Sequence, residues 1–542
     1  MSASVARGAS PMPADARAPV WLGRHPRRNL IWAVALLGLA IRLATLVATR
    51  HLAGSWEYDD AVYFGTAVRL VHGVIPYRDF VLVQPPGVPL VLAPVALLAY
   101  PLGTHHALEL ARAVVPVVSF ANVLLLGRLL RHRSLLVVGT ACLFLALYPD
   151  AILASSALLL EPFLNCFCLV ACVLLFEGDR LTSRVDLAVW AGLAFGVGGT
   201  MKTWAVIPMA AILLLLLGRG RLAQAAGLLI GGAAGFLLPC LPFLLLAPRQ
   251  FVHQVALDQL GRTGQAGLSI VIRLEFMTSV WPGLGVPTGH LYKLLAVGAA
   301  VVVVVVVGAA FLLRPSPPPG GRRSWSISAL EAFALLAVLL VGLALCWPAD
   351  FFYHYPAFLA PFLGLLLALA VGRLAAWHLK AVTAAVALVA LAGLLHALAI
   401  PVLLQRAADP SAAIARVIPA GACVVTDEAE YTINADRFLS RVPGCPQMVD
   451  ALGTTMASSG SQDPSSPEAQ SAAPLWLRDF QRAQYLLLTP LSFDRIPWNR
   501  ALESYVERNF HPVLSAPVLV LRRNAHATAP IPLPLPPVSP GS

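Results

Sequence analysis

The sequence predicts an α-helical protein that crosses a membrane many times and carries a small α/β domain at its C-terminal end. Of its 542 residues, 58% are hydrophobic and only 12% are charged, a balance that soluble domains do not have. Apolar runs of roughly 15 to 25 residues recur up to about residue 403, and such runs are long enough to enter or span a bilayer. Beyond Leu404 the composition becomes that of a soluble domain.

Positive charge sets the expected orientation. The net charge is +11, but the lysines and arginines lie in short clusters between apolar runs and form no basic stripe interleaved with aromatics. This pattern argues against a nucleic-acid partner and places the clusters on the cytoplasmic side of the membrane. It gives about eleven crossings and a cytoplasmic N-terminus. The predicted spans are residues 30–49, 113–127, 135–147, 162–176, 186–201, 204–217, 223–247, 292–313, 327–347, 356–372 and 381–403.

Residues 85–103 are apolar but do not fit this scheme, because a full crossing there would reverse every later span. The segment holds five prolines, which disrupt a regular helix. We therefore expect it to be re-entrant or irregular. If it does cross, one of the spans 113–127 and 135–147 does not.

The scheme brings polar residues from distant parts of the chain to the outer face of the membrane. Ionisable groups at a membrane boundary are costly, so they commonly mark functional sites. We therefore expect one shared site at that face. The residues concerned are Asp59, Asp60, Asp79, Asp150, Glu161, Lys202, the 249–290 loop with Arg262, and the run from Asp350 to Tyr355 that contains His354.

The chain divides into four regions. Residues 1–29 are expected to be a disordered cytoplasmic N-terminus, and the Pro-rich residues 529–542 a disordered tail. Residues 30–403 are the membrane module, whose first outer loop is residues 50–84. Residues 404–528 are the extracytoplasmic α/β domain. In that domain we predict strands at Ala422–Thr426, Gln484–Leu488 and Pro517–Leu521, and helices at Leu475–Gln484 and Trp498–Phe510.

The eight cysteines fall into two groups. Six lie in apolar segments, where small buried hydrophobes are expected. Cys423 and Cys445 lie in the polar C-terminal part. An extracytoplasmic domain is in an oxidising compartment, so we expect a disulfide between these two. The sequence contains no cysteine or histidine spacing typical of zinc sites.

The first outer loop carries the strongest chemical signal. Asp59 and Asp60 stand side by side after the first span, and an amphipathic helical pattern follows them. Sugar transfer from a lipid phosphate needs a base that takes the proton of the acceptor hydroxyl, and a carboxylate can serve. Capping of the following helix explains either aspartate equally well. The residues alone leave both readings open.

The loop resembles the first outer loop of the GT-C membrane glycosyltransferases, nearest the branch of protein O-mannosyltransferases and lipid A aminoarabinose transferases. That family has Asp-Glu-x-x-Tyr at the loop start and Pro-Pro before its second membrane segment. By this match Asp59 takes the catalytic role and Asp60 stands where the family usually has Glu. A Glu-Lys pair often precedes Pro-Pro, and here Val83 and Gln84 replace it. The resemblance rests on Asp59-Asp60-Ala61-Val62-Tyr63, Gly73, Pro76-Tyr77-Arg78-Asp79-Phe80 and Pro85-Pro86-Gly87.

Weaker similarities extend over most of residues 30–400. The resemblance implies a plasma-membrane enzyme that moves a sugar from a polyprenyl-phosphate donor to a cell-envelope glycan, lipid or protein. It assigns catalysis to Asp59, Asp60 and Glu161. From their places at the outer face, we expect Lys202 or Arg262 to bind the donor phosphate. The motifs involved are Leu160-Glu161-Pro162, the segment from Gly198 to Lys202, and the segment from Phe352 to Pro356.

Several of these residues also have a plainer explanation. Glu161 is the kind of acid that a helix N-terminus favours, and Lys202 could snorkel to the interface. His354 and Tyr355 are also typical of an aromatic belt. Asp79 is a further site candidate in the first loop. Asp60 or Glu161 could ligate a divalent cation, the one cofactor that this chemistry suggests.

Two other classes of function compete with a transferase. A lipid or glycan transporter or flippase tends to have charges deep inside its spans and internal repeats, whereas here the polar residues gather at one face. A scaffolding protein would not need Asp59, Glu161 and Lys202 on one side. We therefore favour the enzyme.

Overall fold

The computed structural model describes residues 25–258, 268–279, 289–313, 326–347, 351–461 and 463–526. Within these ranges six helices are long and apolar enough to cross a membrane, which supports a multi-pass membrane protein as predicted. They are Pro26–Ala48, Ala99–Leu129, Leu222–Leu246, His290–Leu312, Ala329–Cys346 and Pro356–Leu403. Shorter apolar helices are Gly87–Ala96, Leu135–Leu147, Leu160–Leu175, Val185–Met201 and Thr203–Leu217. Because these five are shorter, the number of eleven crossings stays a prediction.

Each predicted span coincides with a helix or part of one. The spans 356–372 and 381–403 lie in the single 48-residue helix Pro356–Leu403, which is broken at His378, where φ is −138° and ψ is 68°. The segment 85–103 begins with a ten-residue helix, Gly87–Ala96, too short to cross. The next helix is interrupted at Gly103, where φ is 83°, a backbone conformation that glycine adopts readily.

Two apolar helices pack closely because glycines line their contact. Val185–Met201 and Leu222–Leu246 approach so near that a Cβ built on Gly231 would lie less than 3.0 Å from the carbonyl oxygen of Val189. Small residues permit this approach in membrane helix pairs. The contact fixes the helix that ends immediately before Lys202.

The first loop is helical where the amphipathic pattern predicts a helix. Its helical segments are Tyr58–Asp60, a π-helical turn Ala61–Gly65, and Thr66–Val71. Its apolar side chains, among them Phe64 and Val68, are buried. Single π-helical turns often occur at functional sites, and this one begins directly after Asp60.

Residues 404–526 contain a mixed four-stranded sheet. The order is β3 (Val424–Thr426), β4 (Tyr485–Leu488), β6 (Leu519–Asn524) and β5 (Phe510–Ala516), with β3 and β4 parallel and the others antiparallel. A separate hairpin pairs β1 (Phe176–Glu177) with β2 (Arg180–Leu181). Shorter helices are Pro149–Leu153, Pro248–Val252, Ile270–Met277, Ser411–Val417, Ala429–Asn434, Ala451–Ser459, Ala473–Arg482 and Arg500–Asn509.

Most of the predicted elements of this region are present within a few residues. The sequence analysis did not predict the helices Ser411–Val417, Ala429–Asn434 and Ala451–Ser459, nor the strand β5, which follows directly on the helix Arg500–Asn509. Most of its side chains are exposed, so it shows little of the apolar alternation by which strands are recognised. A disulfide joins Cys423 and Cys445, whose Cα atoms are 5.6 Å apart.

We expect Gly231→Ala to destabilise the protein by about 1–3 kcal/mol, because the added methyl group must force the two helices apart. Thermal unfolding of the purified protein in detergent would measure this. Gly308→Ala is the matched control, since a Cβ on that membrane-helix glycine meets nothing within 4 Å. Equal stability of the two variants would contradict the close packing.

Candidate functional site

A polar cavity of about 360 Å³ collects side chains from five distant parts of the chain. The first loop, the start of one membrane helix, the end of another and the segment before Pro356 meet part of residues 450–495 there. We call it the polar cavity. It is lined by Glu57, Tyr58, Asp59, Val62, Tyr63, Val83, Gln84, Leu160, Lys202, Phe352, Tyr353, His354, Tyr355, Asp450, Leu452, Gly453, Met456, Leu491, Asp494 and Arg495.

Asp59 lines the cavity from the start of the first-loop helix. The hydroxyl of Tyr63, one turn further along, lies 3.5 Å from its Oδ2. Burial raises the pKa of Asp59 to about 6, and the negative charges of Asp450 and Glu161 add to this, while His354 and nearby Lys202 oppose it. A carboxylate with such a pKa is ionised at neutral pH and basic enough to take a proton.

Glu161 holds two other predicted site residues together. It is fully buried in the first turn of the helix Leu160–Leu175, and its Oε1 lies 2.7 Å from Nζ of Lys202. Its Oε2 lies 2.8 Å from Nδ1 of His354. The ammonium of Lys202 also lies 3.7 Å from the ring centroid of Tyr355 and 3.9 Å from that of Trp204. The lysine is therefore fixed in a buried ion pair and does not snorkel.

The structure corrects the role expected for Asp60. This residue is fully buried, and it does not line the polar cavity. Its Oδ2 accepts a hydrogen bond of 2.6 Å from Nε of Arg112, and its Oδ1 accepts one of 2.5 Å from the backbone N–H of Leu158. With both oxygens engaged, Asp60 has the geometry of a structural anchor, not of a base or a metal ligand.

Asp79 also lies outside the cavity lining. It forms an ion pair with the neighbouring Arg78 at 2.8 Å and accepts a hydrogen bond from the backbone N–H of Ile75. This arrangement stabilises the turn in the first loop. Arg262, the second residue expected at the donor phosphate, lies outside the described residues.

A divalent cation does not fit Asp60 or Glu161, because the oxygens of both carboxylates are already bound to cationic side chains or a backbone N–H. Among the described residues, one other group is compatible with a divalent cation. His105, His106 and Glu109 place one ligand atom each within 4.8 Å of one another. None of the three lines the polar cavity.

Sequence analysis missed several residues of the cavity. Glu57 accepts a 2.5 Å hydrogen bond from the hydroxyl of Tyr353, and burial raises the pKa of Glu57 to about 8. Its place two residues before Asp59 was the one signal that could have revealed it. Asp450 and Arg495 come from the C-terminal part of the chain, where no sequence motif marks them.

The first loop and the C-terminal part are joined by buried polar contacts. Arg112 pairs with Asp60 of the loop and with Glu430. Glu430 in turn accepts a 2.9 Å hydrogen bond from the backbone N–H of Trp56, and the backbone of Ser55 pairs with that of Ala408. The C-terminal wall of the cavity is thus attached to the loop that carries Asp59.

A second cavity, an apolar groove of about 640 Å³, lies between the membrane helices Leu135–Leu147, His290–Leu312 and Pro356–Leu403. Its lining is aliphatic and aromatic, with a few polar groups such as Tyr148, Ser279 and His396. Such a surface suits a hydrocarbon chain.

The chain is similar to solved structures of ArnT and of an archaeal oligosaccharyltransferase. ArnT from Cupriavidus metallidurans bound to undecaprenyl phosphate is 14% identical, covers 93% of this chain and 99% of its own, and has a TM-score of 0.56. The same protein in the apo state is 14% identical, covers 91% of this chain and 97% of its own, and has a TM-score of 0.57. The structure of an archaeal oligosaccharyltransferase, AglB from Archaeoglobus fulgidus with an inhibitory peptide and a dolichol-phosphate, is 12% identical in sequence. The match covers 94% of this chain and 76% of AglB, with a TM-score of 0.48.

No protein-family model and no curated protein sequence matches the chain. The structural similarity establishes the fold. The chain has the GT-C fold that the first loop led us to expect.

We expect Asp60→Asn to lower the free energy of unfolding by about 3 kcal/mol, because it removes one partner of the buried Arg112 guanidinium. Asp79→Asn breaks a partly exposed pair in the same loop and should cost less than about 1 kcal/mol. Thermal unfolding in detergent compares the two. A similar small effect at both positions would show that Asp60 is not an anchor.

Proposed function

We propose that this protein transfers a sugar from a polyprenyl-phosphate donor to a hydroxyl group of a cell-envelope acceptor at the outer face of the membrane. The observation that carries the proposal is the convergence of Asp59 with the Glu161–Lys202–His354 cluster around one cavity. Such a transfer needs a base for the acceptor hydroxyl and a cation for the leaving phosphate, placed together in one pocket. The fold shared with ArnT bound to undecaprenyl phosphate supports the same class of donor.

In the proposed reaction, Asp59 accepts the proton of the acceptor hydroxyl as its oxygen attacks the anomeric carbon of the donor sugar. The bond between that carbon and the phosphate oxygen breaks, and its electron pair leaves with the polyprenyl phosphate. Lys202 stabilises the negative charge of the leaving phosphate. Because attack and departure occur on opposite sides of the carbon, the transfer inverts the configuration.

Glu161 and His354 are positioning residues in this proposal. Glu161 binds both Lys202 and His354, so it orients the ammonium that meets the phosphate. Tyr355 packs against the same ammonium and limits its motion. We assign no step to a divalent cation.

The apolar groove is the proposed place for the isoprenoid chain of the donor. Its volume of about 640 Å³ and its aliphatic lining match a hydrocarbon, not a sugar. A polar reaction cavity and a separate apolar groove together suit an amphipathic donor.

The proposed topology has a cytoplasmic N-terminus and an extracytoplasmic region from residue 404 onward. The Cys423–Cys445 disulfide agrees with an oxidising compartment on that side. The test of the whole proposal is release of free polyprenyl phosphate from a donor labelled in its sugar. A transporter or flippase would move the donor without cleaving it.

We expect Asp59→Asn to reduce sugar transfer by about 10²–10³-fold, by analogy with the loss of one electrostatic stabiliser, while expression and thermal stability are retained. Radiolabelled sugar transfer by the purified protein measures this. Asp79→Asn is the matched control in the same loop and should retain wild-type activity, since Asp79 does not line the cavity. Substantial turnover by Asp59→Asn would refute the assignment.

The rate should depend on pH through the ionisation of Asp59. Burial raises the pKa of this carboxyl to about 6, and only the ionised form can accept a proton. We expect kcat/KM to fall about tenfold per unit below pH 6 and to level off above about pH 7. The residual activity of Asp59→Asn should not show this fall of kcat/KM at low pH. A wild-type profile that is flat from about pH 5 to 8 would exclude Asp59 as the base.

A further inference from the structure

The C-terminal part of the chain supplies one wall of the polar cavity through Asp450 and Arg495. We propose that these two side chains form a subsite that recognises the hydroxyl groups of a neutral sugar ring. The inference rests on the proposed sugar transfer and adds to it the residues that select the sugar.

Arg495 uses one of its guanidinium nitrogens, Nη1, for its contacts within the protein, so its other nitrogens can bind a ligand. Its Nη1 donates to Oε2 of Glu428 at 2.5 Å, and it lies 3.4 Å from Oδ2 of Asp427. The guanidinium carbon stands 4.2 Å from the ring centroid of Tyr58. Within the described part of the chain, no acceptor is bound to Nε or Nη2. Because an arginine has five N–H donors, this edge can still bind oxygen atoms.

The charges around Arg495 favour a neutral ligand over an anion. The guanidinium is already balanced by Glu428 and Asp427, and two further carboxylates, Asp450 and Asp494, line the same cavity. A phosphate or carboxylate group would meet this excess of negative charge. Sugar hydroxyls carry no charge and accept hydrogen bonds from a guanidinium readily.

Asp450 provides the complementary group. Its Oδ1 accepts hydrogen bonds of 2.7 Å from the hydroxyl of Tyr58 and 2.7 Å from the backbone N–H of Gly453, which orients the carboxylate. A carboxylate offers about four acceptor positions in all, so it can also accept bonds from hydroxyl groups. An arginine that donates and a carboxylate that accepts match neighbouring hydroxyls of a sugar, since each hydroxyl both donates and accepts.

Tyr58 connects this subsite to the reacting groups. It lies directly before Asp59 in the chain, binds Asp450 through its hydroxyl and packs its ring against Arg495. The backbone N–H of Leu452 also donates to its hydroxyl at 3.0 Å. A sugar held by Asp450 and Arg495 is therefore held at a fixed place relative to Asp59.

Binding measurements on Asp450→Asn and Arg495→Lys test the subsite without requiring turnover. Asn keeps the helix-capping oxygen of Asp450, and Lys keeps a positive charge beside Glu428 but loses the planar fork of donors. The probes are polyprenyl phosphate without sugar and polyprenyl phosphates that carry a neutral hexose or pentose. Quenching of intrinsic tryptophan fluorescence in detergent reports the affinities. Arg500→Lys, at an exposed arginine of the same region, is the matched control.

We expect the wild type to bind one sugar-linked probe more tightly than the sugar-free lipid, and each variant to lose about tenfold of that preference. Affinity for the sugar-free lipid should not change. If the subsite holds an acceptor glycan instead, the preference stays and the KM for that glycan rises while kcat is retained. Either result supports recognition of a sugar ring at this wall.

The inference is overturned if both folded variants keep the wild-type preference and the wild-type KM. It is also overturned if the variants weaken the binding of the sugar-free lipid as much as the binding of the sugar-linked lipid, because that would indicate a phosphate contact. Should Arg495→Lys fail to fold, Asp450→Asn alone decides. A wild type that binds sugar-linked lipid selectively but releases no polyprenyl phosphate would refute the proposed function and leave the subsite intact.

Discussion

A charge buried inside a protein needs a partner, and this requirement fixes the arrangement of the side chains around the polar cavity. Glu161 is bound by Lys202 and His354, and Asp60 is bound by Arg112. Removing one member of such a pair leaves an uncompensated charge, which costs several kcal/mol. The segments that supply these side chains are therefore held in one arrangement, although they are far apart in the sequence.

The carboxylates that line the polar cavity are satisfied in a different way. Three of the four have a tyrosine hydroxyl as a neighbour, which can donate a hydrogen bond and carries no charge. Burial raises the pKa of Asp59 to about 6 and that of Glu57 to about 8, so Asp59 is ionised at neutral pH whereas Glu57 is largely protonated. The structural acids carry cationic partners, whereas Asp59 faces the cavity as a carboxylate that can accept a proton. The three pairs are Asp59 with Tyr63, Glu57 with Tyr353, and Asp450 with Tyr58.

The region after residue 404 contributes side chains to the polar cavity and is attached to the first loop. Arg112 binds both Asp60 and Glu430, so one membrane-helix side chain joins the loop to this region. Asp450 and Arg495 then complete the cavity wall. In the proposed enzyme, Tyr58 connects the sugar-recognising residues Asp450 and Arg495 to the proton acceptor Asp59, which follows it in the chain.

Much of the fold was predictable because it follows from local properties of the chain. The length of the apolar runs, the prolines of residues 85–103 and the helical pattern after Asp60 each depend on neighbouring residues only. The strand Phe510–Ala516 was missed because its mostly exposed side chains give no apolar alternation. The convergence of Asp59, Glu161, Lys202 and His354 was expected from the topology of charged clusters. In the structure Asp59, Lys202 and His354 line one cavity, and Glu161 is bound to the last two.

The sequence by itself determined that the chain is a multi-pass membrane protein, because the length of an apolar run depends only on neighbouring residues. Only the tertiary structure decided which of two adjacent aspartates faces the cavity. Asp59 and Asp60 have the same chemistry, but neighbouring positions on a helix point in different directions, so Asp60 binds Arg112 and Asp59 lines the cavity. The same holds for Asp450 and Arg495, whose place at the site depends on contacts across hundreds of residues.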